Sequence, residues 1–142
     1  MSGITVGIDG SDHSVRALEW AANEAAVRHA PLTVLTVHSV AQSGWTGNPI
    51  ILPQDSKDLE EERQGAEEMT LKVTSQLGEA RPASVTVRAV SGFPAQELIE
   101  ASRGTDLMVV GSRGAGGFVK LVAGSVSDQV VHHAHCPVVV VR

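Results

Sequence analysis

The sequence predicts a single α/β domain: a parallel sheet covered by helices on both faces. Three observations carry that expectation. Short runs rich in Val, Ile and Leu alternate with longer stretches of helical periodicity in the order β-α-β-α-β-α-β-α-β, and strict alternation implies parallel strands joined by right-handed crossovers. Aromatic residues make up only 3% of the chain, so the core is aliphatic, and valine-rich tracts suit parallel strands buried on both faces. The 142 residues, 42% of them hydrophobic, are enough for one domain with one core, and no internal repeat, low-complexity tract or linker marks a second.

The first strand is expected at Ile4–Ile8, ending in the turn Gly7-Ile8-Asp9-Gly10-Ser11. Ser11 or Asp12 then caps a helix from about His13 to His29, with Val15, Leu18, Ala22 and Ala25 on one face. After Pro31, Leu32–Val37 forms the second strand. A polar, irregular stretch follows from Ala41 to about Lys57, containing Trp45, Pro49, Ile50-Ile51-Leu52 and Pro53. A loop that long in a small domain is usually functional or mobile, and this one is a candidate lid or partner surface. A charged helix is expected from about Asp58 to Leu77, with Gly78 as its stop. Met69, Leu71, Val73 and Leu77 only partly share one stripe, which leaves its inward face open. Ser84–Val90 reads as the third strand, and Pro94 opens a short helix through about Ser102. Leu107–Val110 is the fourth strand, ending at Gly111; Ser125–Ala134 is the last helix and Val138–Val141 the last strand.

The formal net charge is −5. An acidic chain is a poor general binder of nucleic acid or of anionic membrane, since phosphate contacts need Lys and Arg. A single small phosphorylated ligand held by backbone N–H groups is not excluded. The one cysteine, Cys136, precludes an internal disulfide, and its place between histidine and proline before a valine strand reads as a buried, inert thiol. The start of the chain lacks the basic and apolar regions of a secretion signal. No apolar run approaches the roughly 20 residues that span a bilayer, so the cytoplasm is the expected compartment. His132, His133, His135 and Cys136 have the chemistry of metal ligands, yet no second ligand cluster accompanies them in sequence, and histidines in a last helical turn also suit the helix dipole. No metal site is expected there.

The most informative stretch is Val109-Val110-Gly111-Ser112-Arg113-Gly114-Ala115-Gly116-Gly117-Phe118, followed by Gly124-Ser125-Val126-Ser127. A buried strand runs into glycines, and the glycines run into a helix that opens on hydroxyl residues. Glycines let a backbone approach a ligand closely, successive N–H groups make an anion-binding concavity, and the helix start adds unpaired donors and a favourable dipole. The Walker A loop is not met, because its Gly-Lys-Ser or Gly-Lys-Thr is absent. The dinucleotide fingerprint is not met either, since it would require glycine where Val119 stands.

A different pattern is present. Gly111-x-x-Gly114, nine residues, then Gly124-Ser125 is the signature of ATP-binding universal stress proteins, and the chain resembles that family over nearly its whole length. Ile4–Ser11 resembles the family's first strand and acidic turn, Gly92-Phe93-Pro94-Ala95 its third strand-to-helix turn, and His135-Cys136-Pro137-Val138-Val139-Val140-Val141 its terminal strand. The resemblance implies an open, Rossmann-like sheet of five parallel strands in the order 3-2-1-4-5, of the adenine nucleotide alpha hydrolase type. Strands 1 and 4 are then neighbours at a switch point, where ligands of open α/β sheets sit.

The implied ligand is ATP, with or without Mg²⁺; AMP and cyclic AMP are the alternatives. Carried over by position, the backbones of Gly111, Gly114, Gly124 and Val126 meet phosphate and ribose, with Val110 leading into the loop. Ser125 and Ser127 donate hydroxyls to phosphate, and Arg113 lies where it can add a charge-assisted bond. Asp9 matches the family's acidic residue, meeting base or ribose, or phosphate through Mg²⁺. Its plainer reading is an Asx-turn or a helix cap. Ile8 and Val37 match positions whose backbone meets adenine. No residue is assigned a catalytic role: without a Walker lysine, an arginine finger or a clear base other than Asp9, at most slow hydrolysis is expected. The resemblance further implies a homodimer through Val138–Val141 and a part in stress sensing or signalling.

Overall fold

The computed structural model describes residues 3–42, 45, 47–52, 54–112 and 125–142. Their elements are β1 (Ile4–Ile8), α1 (Asp12–Arg28), β2 (Pro31–Ser39), β3 (Ala41–Gln42), β4 (Pro49–Ile50), α2 (Asp55–Ser75), β5 (Ser84–Gly92), α3 (Pro94–Ala101), β6 (Leu107–Gly111), α4 (Ser125–His133) and β7 (Val138–Val141). The main sheet has five strands in the order β5-β2-β1-β6-β7, every neighbouring pair parallel. Counting only these strands, the order is the expected 3-2-1-4-5.

The pleat sorts the aliphatic side chains into two layers. Ile4, Val6 and Ile8 of β1, Leu32 and Val34 of β2, and Leu107 and Val109 of β6 face α1 and α2. The intervening residues Leu35, Met108 and Val110 face the opposite way, toward Leu98 of α3 and Val130 of α4. Both faces are covered, which is why these strands read as continuous valine-rich runs. On α1, Ala17, Leu18, Ala21, Ala22 and Ala25 are wholly buried. Four small side chains out of five let this helix lie close to β1 and β6, and Leu18 fills the space they leave.

The edges of the elements have local causes. The Ser11 side chain accepts from Ser14 N–H and so caps α1. At the other end His29, with φ of 50°, closes the helix in the left-handed region. Gly3 has φ of +82°, and a Cβ there would lie 2.2 Å from the Pro31 carbonyl oxygen, so only glycine fits. Its N–H donates to Asp106 and its carbonyl accepts from the Thr105 hydroxyl, both at 2.9 Å, tying the start of β1 to the start of β6.

Four details differ from the expectation. Helix α2 begins at Asp55, not near Asp58, and ends at Ser75 with Gln76 as cap, short of Gly78. Its inward stripe is Ala66, Thr70 and Val73, with Met69 and Leu77 packed beside them, whereas Leu71 is 70% exposed. The stretch 41–57 is not irregular throughout: β3 and β4 pair antiparallel, Ala41 with Ile50 and Gln42 with Pro49. Strands β2 and β5 continue two residues further than expected, staying in register as far as Ser39 and Gly92. Among the described residues, no helix is long and apolar enough to cross a membrane.

Candidate functional site

Strand β1 pairs with β2 on one side and with β6 on the other. The chain leaves β1 toward β2 and leaves β6 toward β7, so the connections diverge at the carboxyl ends of β1 and β6, where open α/β sheets hold their ligands. Asp9 follows β1 at this end, Gly111 closes β6 with Ser112 just after it, and α4 begins with Ser125, Val126 and Ser127.

Asp9 is exposed. Its Oδ1 accepts from the Ser11 N–H at 2.9 Å and from the Ser11 hydroxyl at 2.6 Å. The Asx-turn reading is therefore met, the cap of α1 being Ser11 and not Asp9, and the turn holds the carboxylate at the end of β1 beside the start of α1. Ile8 and Val110 are buried, and Val37 is packed into the α3–α4 layer. With their side chains committed to the core, these three residues have only backbone groups to present. Val126 also packs into that layer, while Ser127 is buried with its hydroxyl 3.4 Å from the Ser112 carbonyl. Arg113, Gly114 and Gly124 lie outside the described residues.

Gly111 has a requirement that sequence reasoning did not see. A Cβ on it would fall 2.9 Å from the carbonyl carbon of His13 and 3.0 Å from that residue's oxygen and Cβ. The first turn of α1 rests directly on the end of β6. Ser112 then joins three elements: its hydroxyl lies 3.0 Å from His13 Nδ1 of α1, its N–H donates to the Val141 carbonyl of β7 at 2.7 Å, and its carbonyl meets Ser127 of α4. Neither His13 nor Ser112 was singled out from the sequence. The signal available was the strand order, which brings the first turn of α1 beside the end of β6.

A second constellation lies at the end of β2. The ring of His38 has Nε2 2.8 Å from Asp55 Oδ1 and Nδ1 3.0 Å from Glu62 Oε1, both on α2. The Glu62 and Asp55 hydrogen bonds raise the pKa of His38 above its ordinary value against the opposing effect of desolvation. The His38 hydrogen bond, followed by that from the Leu52 N–H, holds the Asp55 carboxyl below its ordinary value. At the other end of the chain, His132 Nδ1 lies 2.7 Å from the Asp128 carbonyl, and burial pushes the Cys136 thiol up, as suits an unreactive cysteine.

All of residues 1–142 match the model of the Universal stress protein family. A universal stress protein of Mycolicibacterium smegmatis is 34% identical over 140 residues, covering 99% of this chain and 48% of its own length. The chain spans about half the length of the mycobacterial relatives it matches. Among solved structures, universal stress protein UspA from Lactobacillus plantarum has a TM-score of 0.79 at 26% identity, over 99% of this chain and 97% of that one. A universal stress protein crystallised in complex with cAMP shares the fold, with a TM-score of 0.69 at 24% identity over 99% and 95% of the two chains. The chain belongs to the universal stress protein family.

Proposed function

We propose that the crevice between the ends of β1 and β6 binds an adenine nucleotide, ATP in the first instance, and that the protein acts in the cytoplasm as a dimeric stress-response sensor or signalling protein. The observation that carries this reading is convergence. Ser112 at the end of β6 meets His13 in the first turn of α1 and Ser127 in the first turn of α4, and Asp9 follows β1 at the same end of the sheet. In this reading the N–H groups of the first turn of α4 and the hydroxyls of Ser125 and Ser127 receive phosphate. The backbones of Gly111, Gly114, Gly124 and Val126 line phosphate and ribose, and Arg113 adds charge. Ile8 and Val37 present backbone groups to adenine. Asp9 meets the ribose or base, or reaches phosphate through Mg²⁺. The protein of this fold crystallised with cAMP supports cyclic AMP as the second reading, because the same donors serve one phosphate or three.

Mass spectrometry of small molecules released from freshly purified, denatured protein tests both readings, with Gly114→Val as control. ATP, AMP or cyclic AMP is expected from the wild type and not from the variant, and its mass counts the phosphates. If nothing is released and calorimetry with all three nucleotides is flat, the reading fails.

The dimer rests on a separate observation. Among the described residues β7 lies at the end of the sheet with β6 as its one neighbour, and Val140 is 40% exposed. An edge strand leaves backbone donors and acceptors for another chain. Sedimentation equilibrium is expected to find dimers for the wild type and monomers for Val140→Lys, while a monomeric wild type would rule out the assignment.

A further inference from the structure

We propose that His38, Asp55 and Asp58 form a binding site for one first-row divalent ion, zinc in particular, separate from the nucleotide crevice. One ligand atom from each of the three lies within 4.8 Å of the others. Zinc holds imidazole nitrogen and carboxylate oxygen at about 2.0–2.2 Å, which places tetrahedral ligand atoms a little over 3 Å apart. The ligand atoms thus stand wider apart than in a loaded site, and zinc would draw them together.

The surroundings fit a site better than a chance meeting of charges. Acidic residues in a first helical turn have an ordinary reason to be there, since they favour the helix dipole. A histidine facing them from a strand does not follow from that reason. His38 and Asp55 are both buried, at 9% and 8% exposure, so water competes poorly for their donor atoms. The ring is aimed: Nδ1 is engaged by Glu62, which turns Nε2 toward the aspartates. Histidines that bind metals commonly donate their second ring N–H to a carboxylate in this way. Asp55 is aimed as well, because its Oδ2 accepts the Leu52 N–H and leaves Oδ1 toward the ring. Asp55 and Asp58 stand three apart on α2 and so share one face. The donors come from the end of a core strand and from a helix, so the site is built on rigid elements.

The donor set selects the ion. One imidazole nitrogen with carboxylate oxygens suits zinc, whereas magnesium and calcium prefer all-oxygen sites. Bound there, the ion would fasten the first turn of α2 to the end of β2. This differs from the ligand set considered in sequence at His132, His133, His135 and Cys136.

The test is isothermal titration of the chelator-treated, full-length protein with ZnCl₂, and separately with MgCl₂ and CaCl₂. One zinc ion per chain is expected, bound at least 100-fold more tightly than magnesium or calcium, with a rise in thermal midpoint. Asp58→Asn, which leaves the His38–Asp55 and His38–Glu62 hydrogen bonds in place, is expected to weaken zinc at least tenfold. Glu62→Gln is expected to weaken it about 10- to 100-fold. Circular dichroism checks that both variants fold, and Gly114→Val should bind zinc like the wild type, which separates this site from the nucleotide reading. No zinc binding by the wild type overturns the proposal. Binding unchanged in both Asp58→Asn and His38→Gln also overturns it, because the ion then sits elsewhere, for instance on the exposed histidines of α4.

Discussion

Replacing Gly111 with valine is expected to weaken the proposed nucleotide binding and to destabilise the fold in the same step. The added side chain must enter space already held by the backbone of His13, whose carbonyl carbon would stand 2.9 Å from the new Cβ. Backbone in the first turn of a capped helix gives way less readily than the end of a flexible side chain. Either α1 lifts from β6 or the end of β6 bends outward. Overpacking of this kind costs about 1–3 kcal/mol. Both movements also disturb the contacts of Ser112 with His13, Val141 and Ser127, from which the glycine-rich segment departs. Calorimetry with ATP should show at least a tenfold loss of affinity, and a thermal melt a lower midpoint. A variant that melts and binds as the wild type does would mean that α1 and β6 part at no cost, contrary to the contact described.

Leu18→Ala is expected to have the largest effect on stability alone, about 3–4 kcal/mol. Leu18 is fully buried in the α1 face of the core. The cost belongs in the middle of the range for buried leucines, not at its foot, because of its neighbours on that face. Ala17, Ala21, Ala22 and Ala25 have no side-chain rotamers with which to fill a cavity, and the strands behind them are fixed by pairing on both sides. Urea unfolding should show the loss as a lower midpoint with an unchanged slope, and heating a drop of roughly 10 °C. Leu71→Ala offers the contrast: at 70% exposure on the outer face of α2, it is expected to change stability by no more than about 0.5 kcal/mol.

Legibility in the sequence followed the range of the forces involved. Strands β1 and β7 were read with the bounds observed, because each is a run of aliphatic residues stopped by a local signal, the Asp9-Gly10 turn in one case and Pro137 in the other. The glycine-rich segment and its strand-to-helix context were legible for the same reason. Helix α2 was harder. Its buried positions include Ala66 and Thr70, which weigh little in a hydrophobic pattern, and Thr70 is accommodated by donating its hydroxyl to the Ala66 carbonyl at 2.7 Å. The pairing of β3 with β4 was not legible, since strands of two residues carry no period. Contacts set only by tertiary structure were invisible: Ser112 meets His13 across 99 positions, and His38 meets Asp55 and Glu62 across 17 and 24. Gly111 was legible as a motif glycine but not as the residue on which α1 rests.

The central position of β1 has a consequence for the chain as it is made. Its partner on one side, β2, follows within the first forty residues, but its partner on the other side, β6, begins at Leu107. At about 5–20 residues per second, the ribosome delivers β6 several seconds after β2. Closing so long a loop adds little to the equilibrium cost, which grows only logarithmically with length. In that interval, however, the nascent chain carries on one side of β1 the backbone donors and acceptors that later pair with β6, with no strand of its own to receive them. Until β6 emerges, that side of β1 is an open strand edge, the kind of surface that pairs with other chains.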